Sequence, residues 1–125
     1  MNLATTIQIY AGGPGSGRKP TLLQRHNEIK NHPSRAWKLG DPLASRKSVV
    51  AVSGKLSSLA ALVGKAVQGK DTNTKSYFNR ASLYLEKAEV SAKDGDWRIA
   101  VIHQDNALQN LHWAINSLRT NYRIR

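Results

Sequence analysis

Residues 48–69 read Ser-Val-Val-Ala-Val-Ser-Gly-Lys-Leu-Ser-Ser-Leu-Ala-Ala-Leu-Val-Gly-Lys-Ala-Val-Gln-Gly. Val49, Val52, Leu56, Leu59, Val63 and Ala66 recur there at steps of three and four, which places them on one face of an α-helix. Leu62 and Val67 widen the stripe, and Gly69 is the expected C-cap. Gly54 and Gly64 inside the stretch each cost ~1 kcal/mol against alanine, so close approach of a neighbouring helix is expected at both.

Working outward towards the C-terminus, residues 71–74 form a capping cluster. A second helix follows with Tyr77, Ala81, Tyr84, Leu85 and Ala88 on one face. Lys93-Asp94-Gly95-Asp96 is a tight connection, with Asp96 as the expected N-cap. A third helix runs from residue 97 to about 119. Its stripe is Ala100, Ala107, Leu111, Ala114 and Leu118, flanked by Ile99, Leu108 and Ile115. Short loops imply antiparallel neighbours. Trp97 and Trp113 read as packing within this hairpin. Residues 122–125 read as a frayed basic end. Small and large residues alternate along the two helices as in one tetratricopeptide unit, but the period does not repeat, so a solenoid is not expected.

Towards the N-terminus the pattern is different. Residues 4–10, with Ile7 and Ile9 alternating, suit a single strand that must pair with something. Gly12-Gly13-Pro14-Gly15-Ser16-Gly17 permits no regular element. The segment from Arg18 to Lys47 is polar and basic and carries Pro20, Pro33 and Pro42. Thr21 can cap a short helix over Leu22–Lys30, ended by Asn31-His32-Pro33. Trp37 and Leu39 are isolated apolar residues suited to a pocket in this chain or a neighbour. The expected architecture is therefore mainly α. It is a small antiparallel three-helix bundle in residues 48–125, with segment 21–31 as an optional fourth element. A long extended basic arm, residues 1–47, precedes it and can add one β-strand to a partner.

The whole chain has 125 residues, no cysteine and a net charge of +11. A disulfide scaffold and a thiolate-ligated site are excluded. The absence of a long apolar run and of a signal-like start predicts a soluble protein made in a cytoplasm, with no membrane partner. Residues 1–70 carry +9 and residues 71–125 only +2. Arg18, Lys19, Arg25, Lys30, Arg35 and Lys38 can therefore meet an acidic protein surface or the phosphates of DNA. A body of ~70 residues buries only about 60% of its unfolded surface, so stability gained by assembly is expected.

The motifs that carry chemistry fail on their spacing. Gly12 and Gly17 frame a superficial phosphate-binding loop, but Arg18 follows where lysine is needed, and Pro20 follows Lys19. The glycine spacing is not the dinucleotide fingerprint. His26-x-Glu28 lacks the cysteines of a zinc deaminase. His103 and His112 lie half a turn apart on a helix and do not face a common metal. Glu86 and Glu89 beside Lys87 and Lys93 read as surface ion pairs. No catalytic, metal or cofactor residue is assigned, and no enzyme activity is expected.

The segment Tyr10-Ala11-Gly12-Gly13-Pro14-Gly15-Ser16-Gly17-Arg18-Lys19-Pro20 resembles the GGPGSGR stretch of virion and head-morphogenesis proteins of tailed bacteriophages. It covers about 11 of 125 residues. The resemblance implies a structural virion protein: capsid decoration, minor capsid or head–tail joining. It would be made in the host cytoplasm and held in a symmetric oligomeric assembly. Its partners would be major capsid or connector subunits, with packaged DNA as a further contact. Ile7, Ile9, Tyr10, Gly12, Gly13, Pro14, Gly15, Gly17 and Trp37 are the candidate partner-binding residues of the arm. The alternatives are a nucleic-acid-binding protein contacting DNA phosphates through residues 18–47, and a small adaptor with a helical binding groove.

Overall fold

A computed structural model describes residues 19–35 and 41–125. The expected strand over residues 4–10, the glycine-rich segment and Trp37 lie outside the described residues. Among the described residues the chain is mainly α, without strands, and has four helices instead of three. They are α1 (Leu22–Lys30), α2 (Pro42–Ala66), α3 (Thr72–Lys93) and α4 (Trp97–Tyr122).

Helix α1 forms where Thr21 and Gln24 allow it. The Thr21 hydroxyl accepts from the Gln24 N–H at 3.1 Å, and the Gln24 side chain accepts from the Thr21 N–H at 2.8 Å, a complete capping box. Helix α2 starts six residues before the periodic stretch. Pro42 occupies its first turn, where a missing N–H costs nothing, and the Asp41 carboxylate accepts from the Leu43 N–H at 3.0 Å. Ser45 and Ser48 take core-facing positions in this added length. The turn between α3 and α4 closes as a Schellman motif. Gly95 sits at φ +77°, its N–H donates to Ala92 C=O, and the Asp96 N–H donates to Ser91 C=O at 2.8 Å. Asp96 holds the N-cap position of α4 without a side-chain cap. Gly69 is left-handed at φ +75°, two residues beyond the actual C-cap, Val67.

Helix α4 is the centre of the bundle, packed against all three others. Residue pairs fix its neighbours' directions. Thr74 meets Ser117, Tyr77 meets Trp113 and Tyr84 meets His103, so α3 is antiparallel to α4. Arg46 lies over Trp97, and the Gln104 side chain donates to Val49 C=O, so α2 runs parallel to α4. His26 meets His112, and the Leu22 N–H donates to Arg125 C=O, so α1 is antiparallel to α4. That last bond, with the Tyr122 hydroxyl donating to Asp71 at 2.6 Å, ties down the chain end expected to fray.

The core joins Leu56, Leu59 and Val63 of α2 to Leu111, Ala114, Ile115 and Leu118 of α4, with Ala81 of α3 and Leu22 and Ile29 of α1. Trp113 packs within the hairpin as expected, its ring 5.9 Å from that of Tyr77 of α3, although it is 44% exposed; of the residues flanking the stripe, Ile99 is exposed. By length and composition α2 is apolar enough to cross a membrane, contrary to the sequence reading, although Val52, Leu56, Leu59 and Val63 face the core.

The two glycines of α2 differ. A Cβ at Gly64 would lie 2.8 Å from Cζ of Phe78, so α3 packs closely there. A Cβ at Gly54 meets nothing within 4 Å, which corrects the expectation of close packing at that position. Gly54→Ala is therefore expected to raise the unfolding free energy by about 0.5–1 kcal/mol. Gly64→Leu is expected to lower it by about 1–3 kcal/mol through overpacking against Phe78. Paired urea melts check both, and equal shifts would contradict the difference in packing.

Candidate functional site

The basic segment expected to meet a partner divides sharply. Lys19 and Lys30 are exposed and Arg25 is half-buried, while Arg18 and Lys38 lie outside the described residues. Arg35 is engaged within the fold. Its guanidinium pairs with Asp105 of α4, and it donates to Lys30 C=O at 2.7 Å, with its side chain only 7% exposed. It braces the end of α1 against α4. Glu28 pairs with Lys55 at 2.9 Å, and that ammonium holds its carboxyl below the usual value. Glu86 and Glu89 form no ion pair among the described residues, contrary to expectation.

Below the Arg35 brace a cavity of about 320 Å³ opens between α1 and α4, lined by His26, Lys30, Arg35, Asp105, Gln109 and His112. The spacing of Leu22, His26 and Ile29 turns all three inward, so His26 is 4% exposed. Its ring centroid lies 4.8 Å from that of His112. Burial pushes the His26 pKa below its ordinary 6.5, against the raising effect of its bond to Asn27, and nearby His112 lowers it further. His112 bonds Asn116 through Nε2, while its Nδ1 is buried without a partner. His103, set aside with His112 as a metal pair, stacks on Tyr84. No three of His, Cys, Asp and Glu converge as a metal site among the described residues.

A larger groove, about 500 Å³, separates the N-terminal half of α2 from the C-terminal half of α3, with Gln104 of α4 among its lining residues. Sequence patterning had no signal for it, because its lining joins residues of three helices that only the fold brings together. At the opposite end of α3 a polar clasp closes the bundle. Asp71 accepts from the Thr74 and Tyr122 hydroxyls, and these bonds hold its carboxyl at about 2. Comparison with family models, curated proteins and solved structures finds no match to this chain.

Proposed function

We propose that this chain is a non-enzymatic structural component of a tailed-bacteriophage particle, held to neighbouring capsid or connector subunits by its N-terminal arm. What supports the reading, beside the GGPGSGR-like segment, is how the body receives the arm. Residues 21–35 and 42–47, first grouped with the arm, belong to the packed bundle, which leaves residues 1–20 as the N-terminal part that can reach a partner. The chain leaving that part enters α1 directly. Leu22 and Ile29 are buried against α2 and α4, Leu22 is bonded to Arg125, and Arg35 is paired with Asp105. A pull on the arm is thus carried into the core and not into a loose linker.

The test is occupancy in purified particles. Removing residues 1–18 is expected to eliminate the chain from particles while its helicity in solution is retained. Wild-type occupancy of the truncated chain would overturn the anchor.

The net charge of +11 favours a second reading, contact with DNA phosphates through Lys19, Arg25 and Lys30. Contact with several phosphates predicts DNA affinity that falls steeply between ~50 and ~200 mM salt. It also predicts uniform weakening when those three residues are neutralised. Binding indifferent to salt would remove this reading.

A further inference from the structure

We propose that the cleft between the first turns of α3 and the last turns of α4 is a binding site for a neutral saccharide, with Trp113 as its stacking platform. This goes beyond the virion reading and does not rest on it.

The cleft holds about 380 Å³, within the ordinary size range of small-molecule sites. Trp113 and Tyr77 supply its aromatic surface, with ring centroids 5.9 Å apart and planes tilted by 51°. Arg80 lies over the Tyr77 ring, whereas no cation among the described residues covers Trp113. The indole keeps 44% of its surface exposed. A large aromatic left in water forgoes the burial that its size offers, and one set among polar groups is the usual anchor of a recognition surface.

The polar groups stand on the same two helix faces. Asn73 and Tyr77 are four residues apart on α3, and Trp113, Asn116 and Thr120 follow at steps of three and four on α4. Asn73 and Thr120 are exposed, and their side chains have no partner among the described residues. Asn116 and Asn121 commit their amide nitrogens within α4, to His112 and to Ser117. Their amide oxygens are left to accept.

Charge decides the ligand class. The chain has 19 Lys and Arg residues, and none of those described lines this cleft. Asp71 is the one charged lining residue among those described, and its carboxylate is already engaged by the Thr74 N–H and by the Thr74 and Tyr122 hydroxyls. The cleft is therefore built for an uncharged ligand. A pyranose ring has an apolar C–H face, which packs on the negative face of an indole. Its hydroxyls both donate and accept, as neutral amides and the Thr120 hydroxyl require. An apolar peptide would leave those amides unpaired. A nucleobase also stacks on indole, but in a nucleic acid it brings phosphates for which the cleft has no cation.

The test titrates the ¹⁵N-labelled full chain with maltohexaose, cellohexaose, chitohexaose and mannohexaose up to ~10 mM, where a millimolar site is mostly filled. At least one sugar is expected to shift, saturably, the Trp113 indole N–H and the side-chain amides of Asn116 and Asn121, leaving the Trp97 indole in place. Trp113→Ala is expected to abolish the amide shifts with helicity unchanged, and Trp113→Tyr, which keeps an aromatic face, to retain most of them. Asn121→Ala, at an exposed position, is expected to weaken binding several-fold without touching the ring. A short oligothymidylate is expected to leave these peaks unmoved. No saturable shift with any of the four sugars would overturn the proposal, as would shifts that persist in Trp113→Ala. Shifts of the same peaks by oligothymidylate alone would assign the cleft to nucleobases and overturn it equally.

Discussion

Leu111→Ala is expected to lower the unfolding free energy by about 2–5 kcal/mol, the range for removing a large buried aliphatic side chain and leaving a cavity. Leu111 is fully buried at the middle of α4, which packs against all three other helices. Its neighbours in the core come from all four helices, so no single element can shift to fill the space. Ala81, Ala107 and Ala114 are also fully buried and too small to reach into it. A domain of this size is stable by only about 5–15 kcal/mol, so the variant loses a large share of the total. Urea denaturation measures it, and a loss below about 1 kcal/mol, less than half the lower end of that range, would show that α4 does not organise the core as described.

Acid is expected to release α1. His26 is buried and neutral in the folded chain, with its pKa below the ordinary 6.5. The unfolded chain therefore binds the proton more readily. Stability from this group is complete above pH 6.5 and declines as pH falls below it. The groups facing His26 make charging costly. His112 is 4.8 Å away, Lys30 and Arg35 add positive charge, and Asp105 is the single acid lining the cavity. Two charged rings at that spacing repel by about 3 kcal/mol at an effective dielectric near 20. Melts between pH 7.5 and about 5 should show the loss, with α1 amides losing protection before those of α3. His112→Leu should leave most of the response in place, because burial is the larger cause and His112 the smaller one. Asp71 gives a separate, lower window. With its pKa lowered from 3.8 to about 2, its contribution is present above 3.8 and lost only below it. An unchanged melt from neutrality to about pH 5 would contradict the role of the histidine pair.

Much of the helical body is legible in the residues. Of the first stripe, Val49, Val52, Leu56, Leu59 and Val63 are buried and Ala66 is half-buried, and Ala100, Ala107, Leu111, Ala114 and Leu118 are all buried. Thr21 and the Asn31-His32-Pro33 stop mark α1 to the residue. The start of α2 is not legible by apolar pattern, because its inward positions there are Ser45 and Ser48. Pro42 reads as a breaker unless it is recognised as a first-turn residue. Trp113 is legible as hairpin packing, since it rests against Tyr77 of α3, but its 44% exposure is not.

The site was less legible. Arg35 reads as one more cation in a basic run, and its partner Asp105 lies 70 residues away. Local charge spacing carries no trace of such a pair. His26 and His112 are likewise joined only by the packing of α1 on α4. The sequence pairs each histidine with near neighbours, Glu28 or His103, that it does not meet in the fold. The groove between α2 and α3 likewise joins residues of three helices that are distant in sequence. Residue types along any one helix do not reveal it.

A density map of purified particles bears on the proposed role without intermediaries. The expected result is a four-helix body on the particle, with residues 1–18 running from α1 into the interface between neighbouring capsid or connector subunits. Particles that lack the body, or that hold it with residues 1–18 touching only packaged DNA, would contradict that role.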